Sequence, residues 1–295
     1  MLRLTSKTIS ASAKARLADQ QAKIMLATPF DQQVTKAQSL WDNKTQGRGE
    51  AAFGEIKKAL LSMCIGVEIC NYCENNEATD IEHIYPKSSF PEKAFDWDNY
   101  LLACKICNTP YKSDDFAVFD PAGSASLCNL TPRQSPRLAP PTQDGSFINP
   151  RWENPLNFLW LDIQGLTFNF AVHPNLKSNR NKEKAVYTRD LLQLNNRRAL
   201  RDAREAACGH FVRLLREYTE VKAASSLAAL VIAVNEPRLV DHRPFTRQRV
   251  EFMVSLRRDI RSYPHPTVWQ ELKRQRKALP KTNSYFLAAP EALSW

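Results

Sequence analysis

The apolar positions at the start of the chain recur every three to four residues, the spacing of one face of an α-helix. Three stretches follow this period: residues 11–27, 31–41 and 50–63. Pro29 ends the first stretch, because proline lacks the backbone N–H that a helix interior needs. We therefore predict a helical N-terminal region over residues 1–65, in which apolar side chains such as Trp41 serve packing.

In the next part of the chain the apolar runs are shorter. Two short apolar runs and a turn have the lengths of two β-strands and a short helix: residues 80–86, 96–102 and 104–112. Pro110 should interrupt that helix. Residues 113–150 are rich in Pro, Ser, Asp and Asn, which predicts a wrapping connection without continuous secondary structure. Together these elements form a predicted module over residues 66–150.

In the last part of the chain, apolar residues again recur at the spacing of an α-helix. Residues 158–170 hold two apolar runs around a turn, which predicts a β-hairpin. Helices are predicted at residues 187–194, 197–218 and 225–234. Residues 243–281 carry eleven Lys or Arg against three acidic residues. Residues 151–295 are therefore predicted to be a hairpin followed by a mainly helical, basic region, and the predicted fold class is α+β, mostly helical.

Composition and charge favour a folded protein with an anionic partner. Hydrophobic residues make up 43% of the chain, as in ordinary globular proteins. The formal net charge of +10 favours a polyanion such as DNA or RNA, although a basic surface can also serve solubility alone. No signal segment is evident, and no apolar run reaches the roughly 18 residues of a membrane span. We predict a cytoplasmic protein without membrane contact.

Four of the seven cysteines form two Cys-x-x-Cys pairs, Cys70/Cys73 and Cys104/Cys107. In a reducing compartment such pairs bind metal more often than they form disulfides, with redox dithiols as the alternative. Four thiolates complete the tetrahedral coordination of Zn²⁺ and leave no position open for a substrate. The pairs therefore predict a structural zinc, and any chemistry must come from the residues that it holds together.

The segment between the cysteine pairs carries groups suited to phosphodiester hydrolysis. His83 can act as a general base near neutral pH. Glu82 and Asn108 can offer oxygen ligands to a catalytic Mg²⁺ or Mn²⁺, and Asp80 is an alternative carboxylate. Neighbouring residues of a strand point to opposite faces. We therefore expect a bulge or loop at residues 80–84, which would bring Glu82 and His83 to one site.

Several basic residues are candidates for contacts with nucleic-acid phosphates: Lys87, Lys112, Arg197, Arg201 and Arg204. Such contacts position a nucleic acid without reading its sequence. A solvated basic surface is the alternative for each of them.

These residues resemble the pattern of the HNH endonucleases. The matching positions are Glu82-His83, Pro86-Lys87, the run from Asn99 to Cys104, Cys107-Asn108 and Lys112. The resemblance implies a ββα-metal module with a structural zinc, embedded between helical regions. It implies His83 as the general base, Asn99 as the brace of the catalytic loop, and Glu82 with Asn108 as ligands of the catalytic metal.

A second resemblance is to the PtuB-like branch, the nucleases of Septu-type and retron-linked antiphage systems. It rests on Trp41, Lys44, the segment 70–74 and the segment 187–195 followed by Leu200 and Arg204. The branch implies antiviral defence together with a partner ATPase of the ABC or SMC-like kind, through which the chain would form an oligomer. The hypothesis is a metal-dependent HNH endonuclease. The alternatives are a non-catalytic zinc module that binds nucleic acid and an interaction subunit that cuts only within a complex.

Overall fold

A computed structural model describes residues 1–132, 134–135 and 137–295. Over these residues the fold is α+β and mostly helical, as predicted, with three two-stranded sheets. The chain divides into two compact units, Met1–Trp160 with Phe170–Arg197 and Leu161–Asn169 with Arg198–Trp295. The division into residues 1–65, 66–150 and 151–295 stays a prediction.

Among the described residues, the first unit contains four α-helices: α1 (Ala11–Met25), α2 (Phe30–Asp42), α3 (Gly49–Leu61) and α4 (Asn179–Leu191). The hydroxyl of Ser10 caps α1 by accepting a hydrogen bond from the backbone N–H of Ala13. Glu55 on α3 accepts hydrogen bonds from the N–H and hydroxyl of Ser10, which ties α3 to the start of α1. The predicted apolar faces are buried, with Ile24 and Ile56 fully enclosed.

Two antiparallel strands, β1 (Asp80–His83) and β2 (Tyr100–Ala103), form the sheet around which the candidate residues lie. Each β1 residue pairs with one β2 residue, from Asp80 opposite Ala103 to His83 opposite Tyr100. The ladder continues where the Ile84 N–H donates to the Asn99 carbonyl. The bulge expected at residues 80–84 is therefore wrong, because the strand is regular there.

The helix after β2 is a wide π-helical turn over Cys107–Lys112. The Ser113 N–H donates to the Asn108 carbonyl at 2.7 Å, five residues back rather than four. Pro110 lies inside this turn and has no N–H to donate, which fits a departure from α-helical geometry. Such turns are frequent at functional sites.

The connection predicted to lack secondary structure contains a short antiparallel sheet. Its strands are β3 (Ala117–Phe119) and β4 (Leu127–Asn129), so the prediction is wrong for these residues. The apolar side chains of β3 are fully buried, which explains why this segment pairs although its neighbours are rich in proline.

The predicted hairpin is present as the strands β5 (Leu159–Leu161) and β6 (Phe170–Val172). Among the described residues, the second unit contains five α-helices: α5 (Arg198–Ala223), α6 (Leu227–Ala233), α7 (Phe245–Ser262), α8 (Pro266–Gln275) and α9 (Pro280–Ala288). Phe211, Trp269 and Phe286 are buried where α5, α8 and α9 pack together. Within the described part of the chain, every helix is too short or too polar to cross a membrane.

Candidate active site and zinc centre

The four paired cysteines form one buried cluster. The Sγ atoms of Cys70, Cys73, Cys104 and Cys107 lie within 4.8 Å of one another. The Cys73 and Cys104 sulfurs are 3.8 Å apart. A tetrahedron with Zn–S bonds of about 2.3 Å places its sulfurs about 3.8 Å apart. The donor set and its spacing therefore fit a structural zinc.

Two polar side chains contact the sulfurs of this cluster. The Arg197 guanidinium donates to Cys107 Sγ at 3.3 Å and lies over the Tyr111 ring, and the Asn76 amide donates to Cys104 Sγ at 3.7 Å. Donors of this kind offset the negative charge of a four-thiolate zinc site. Arg197 was a predicted phosphate contact, whereas in the structure its guanidinium faces the four-cysteine cluster.

A cavity of about 260 Å³ lies beside the end of β1. Glu82, His83 and Asn108 line it together with Lys87, Gln38 and Trp41. Glu82 and His83 point to opposite faces of a regular strand, but both reach this cavity because it adjoins the point where the strand ends. Trp41 and Gln38 come from α2, and sequence reasoning assigned no chemistry to either.

His83 is buried against Trp41, with the two ring centroids 4.1 Å apart. Its Nε2 lies 2.9 Å from the Ala94 carbonyl oxygen. A carbonyl can only accept, so Nε2 carries the proton and Nδ1 keeps its lone pair. Burial, together with the ammonium of Lys87, lowers the pKa of His83 well below its ordinary value. The ring is therefore neutral near pH 7, the form that can accept a proton.

Asn99 connects the two ends of the loop that follows His83. Its Oδ1 accepts a hydrogen bond from the Tyr85 N–H at 2.8 Å. Its Nδ2 donates to the carbonyls of Tyr85 and Lys93 at 2.9 and 3.0 Å. Because Lys93 precedes the residue whose carbonyl holds His83, this amide fixes the loop that orients the imidazole.

The family model for HNH endonuclease matches residues 70–114, the segment that contains the zinc cluster, β1, β2 and the π-helical turn. This segment is an HNH domain. The resemblance noted in the sequence is thereby confirmed for these residues.

One curated relative extends the comparison. The chain is 36% identical over 66 residues to Septu protein PtuB of Bacillus thuringiensis, which covers 20% of this chain and 25% of that protein. The chain thus spans about a quarter of the length of the relative that it matches. No solved structure shows a significant match to the chain.

Lys112 is buried at the centre of the HNH domain. Its ammonium lies 2.6 Å from Glu82 Oε1 and donates to the His83 carbonyl at 2.8 Å. Neither side chain of this ion pair is exposed by more than 5%. Burial raises the pKa of Glu82, and the Lys112 ammonium opposes that rise. The structure therefore does not support the predicted phosphate contact for Lys112, which instead holds β1 in place.

Replacing Lys112 with methionine should lower the free energy of unfolding by about 3–5 kcal/mol, because it leaves Glu82 buried without its counter-ion. Lys105→Met is the matched control, since Lys105 is exposed in the same domain. Denaturant unfolding of both variants measures the difference. An equal loss in the two variants would contradict the role of the buried pair.

Asn108 and Asp80 form a hydrogen-bonded pair. Asn108 Nδ2 donates to Asp80 Oδ2 at 3.0 Å. Because the amide nitrogen faces Asp80, the carbonyl oxygen Oδ1 is turned away from that carboxylate. Mg²⁺ and Mn²⁺ prefer oxygen ligands, such as this amide oxygen and the Glu82 carboxylate. Asn108 and Glu82 line the same cavity as His83. The residues present thus fit a divalent cation, with Asp80 orienting Asn108.

The remaining predicted phosphate contacts differ in exposure. Lys87 is half-buried at the HNH cavity. Arg201 and Arg204 belong to α5, in the second unit. Arg201 is half-buried, whereas Arg204 is 2% exposed and donates to the Phe168 carbonyl. Its burial does not support a phosphate contact for Arg204.

Proposed function

We propose that the chain is a metal-dependent endonuclease that hydrolyses phosphodiester bonds in nucleic acid. The observation that carries this proposal is the cavity in which His83, Glu82 and Asn108 meet inside the HNH domain. A zinc module that only binds nucleic acid has no need of a neutral, buried imidazole beside a carboxylate and an amide oxygen.

In this mechanism His83 Nδ1 takes a proton from water as the water oxygen forms its bond to phosphorus. The bond from phosphorus to the leaving oxygen breaks as the new one forms. The hydrogen bond from Nε2 to the Ala94 carbonyl keeps the imidazole oriented, and Asn99 holds the loop that supplies this carbonyl. Glu82 and Asn108 would hold a Mg²⁺ or Mn²⁺ ion, which supplies positive charge for the phosphate and the leaving oxygen. Lys87 adds positive charge at the same cavity.

Metal dependence tests this proposal. Protein freed of divalent cations other than zinc should not cut plasmid DNA or RNA. Addition of Mg²⁺ or Mn²⁺ should restore cutting, because the oxygen ligands of Glu82 and Asn108 then hold an ion. Zinc content is measured in each sample, so that loss of the structural ion is not mistaken for loss of the catalytic one. Binding to either nucleic acid without cutting under any metal would favour the non-catalytic module.

We also propose that this nuclease serves a cytoplasmic antiphage system together with a partner ATPase. The similarity to Septu protein PtuB supports this assignment. Cleavage by the isolated chain is compared with cleavage after addition of the ATPase from the neighbouring reading frame and ATP. Stimulation by both would support the partnership. No change in rate and no co-purification of the two chains would argue against it.

A further inference from the structure

A second cavity of about 520 Å³ adjoins the catalytic one within the first unit. It lies among α2, α3 and β1, and its volume falls in the roughly 300–1,000 Å³ range of small-molecule sites. Trp41, Ile81 and Asn108 line both cavities. A substrate whose reacting phosphate lies beside His83 can therefore continue past these three residues into the second cavity.

The lining of the second cavity combines three kinds of chemistry. Trp41 and Phe53 contribute aromatic atoms to the wall from largely buried rings, 8% and 3% exposed, whose centroids are 5.6 Å apart in an edge-to-face arrangement. Lys44 and Lys57 supply positive charge, and the Lys44 ammonium lies 4.6 Å from the Trp41 ring centroid. Glu50 is one of several side chains there that can accept hydrogen bonds.

A nucleoside with its attached phosphate needs these three features. A base packs on aromatic surface, a phosphate pairs with ammonium groups, and the base edge or sugar donates to carboxylates and hydroxyls. An inorganic anion alone would have no use for the aromatic wall, and a purely apolar ligand would leave the charges unpaired. The location next to the reacting phosphate favours the same occupant.

We propose that this cavity binds the nucleoside adjoining the cleaved phosphodiester, with its base outside the helical stack. This inference rests on the proposed nuclease function for the identity of the substrate. A base within a continuous duplex is stacked and paired, so it cannot enter a cavity in the protein. The inferred substrate is therefore nucleic acid that is single-stranded or locally unpaired beside the cut.

Gly54 gives a direct way to fill the cavity. It lines the cavity from α3, it is exposed, and a Cβ added there meets no atom within 4 Å. Gly54→Leu therefore places a side chain in the cavity without displacing the backbone, and loss of a helix-interior glycine favours the helix. Gly209 in α5 is a matched control, because it is also an exposed helical glycine with nothing within 4 Å of its Cβ.

The test measures the Kd of labelled single-stranded and duplex oligonucleotides, as DNA and as RNA, by fluorescence anisotropy in Mg²⁺. Both glycine variants carry His83→Ala so that little substrate is cut during the measurement. Gly54→Leu should raise the Kd for single strands by about ten-fold relative to Gly209→Leu, the size of one lost base contact. The duplex should bind more weakly than the single strand and should be insensitive to Gly54→Leu. Equal single-strand affinities in the two variants would overturn the proposal.

Lys57 supplies a second, independent pair of variants. Lys57→Glu should weaken single-strand binding more than Lys58→Glu, which makes the same change of charge at the next exposed residue of α3 but outside the cavity. Equal effects would mean that only the overall charge matters, which contradicts a defined nucleoside site. Thermal unfolding of all four variants shows that each one is folded.

A separate measurement keeps this inference apart from the proposed function. Hydrolysis of bis(4-nitrophenyl) phosphate by the wild-type chain with Mn²⁺, measured with and without the partner ATPase and ATP, reports on the catalytic cavity without any nucleoside. If this diester is not hydrolysed but Gly54→Leu still weakens single-strand binding, the nuclease proposal fails and the nucleoside cavity stands. If the diester is hydrolysed and Gly54→Leu binds like its control, the nuclease proposal stands and this inference fails.

Discussion

Replacing His83 with alanine is expected to lower the rate of phosphodiester cleavage by about 10²–10⁴-fold, the usual contribution of a positioned general base. The expectation rests on the tautomer. Nε2 is committed to the Ala94 carbonyl, so Nδ1 is the atom that can accept the proton of the attacking water. Initial rates of nicking of a supercoiled plasmid in Mg²⁺ measure the loss, with the partner ATPase present if the isolated chain is inactive.

Three controls separate a lost base from a damaged fold. His242→Ala removes an exposed histidine of the second unit and should leave the rate unchanged. The zinc content of His83→Ala should equal that of the wild type, because His83 lies outside the four-cysteine cluster. Added imidazole should restore part of the activity of His83→Ala, which a purely structural histidine would not show. Cleavage by His83→Ala at the wild-type rate would show that His83 is not the general base.

The sequence predicted that the four paired cysteines form one cluster, because metal ligation depends on residue type and short-range spacing. The backbone turn within each Cys-x-x-Cys segment places its two sulfurs close together. The pairing of β1 with β2 then places the two segments next to each other. The HNH assignment followed from the same local pattern, since Glu82, His83 and Asn108 stand at fixed distances from those cysteines. Helix positions were predictable for a similar reason, as apolar periodicity is a local signal.

Burial was not predictable, because it depends on residues remote in the chain. Lys112 and Arg204 have the residue type of phosphate contacts, yet each is enclosed by segments that are distant in sequence. The contact of Arg197 with Cys107 spans 90 positions, and no spacing rule connects such residues. Trp41 shows the converse, since an apolar position with an ordinary helical period lies against the candidate catalytic imidazole.

The four-cysteine cluster is connected to the candidate active site through the β1–β2 sheet. One cysteine pair precedes β1 and the other directly follows β2, so the cluster lies at the open ends of the two paired strands. The Asn71 backbone N–H and side-chain amide, between the first two cysteines, both donate to the Leu102 carbonyl of β2 at 3.0 Å. The register that aligns His83 with Tyr100 is thus held from the end where the cysteines lie.

Loss of one zinc ligand should therefore abolish both the zinc and the activity. Cys107→Ser is expected to reduce bound zinc from one ion per chain to none and to unfold the HNH domain, with cleavage lost as a consequence. Zinc binding supplies about 10–16 kcal/mol in isolated zinc-finger peptides, comparable to the whole stability of about 5–15 kcal/mol of a typical protein. Mass spectrometry of the native chain and denaturant unfolding measure the two effects.

Cys128→Ser is the matched control, because Cys128 is half-buried in β4 and lies outside the cluster. It should keep one zinc per chain and the wild-type unfolding midpoint. The comparison also distinguishes metal ligation from redox chemistry. If the cysteine pairs were dithiols, Cys107→Ser would change the number of reducible disulfides but leave the folded domain intact under reducing conditions. A Cys107→Ser variant that cuts at the wild-type rate without zinc would show that the cluster does not organise the active site.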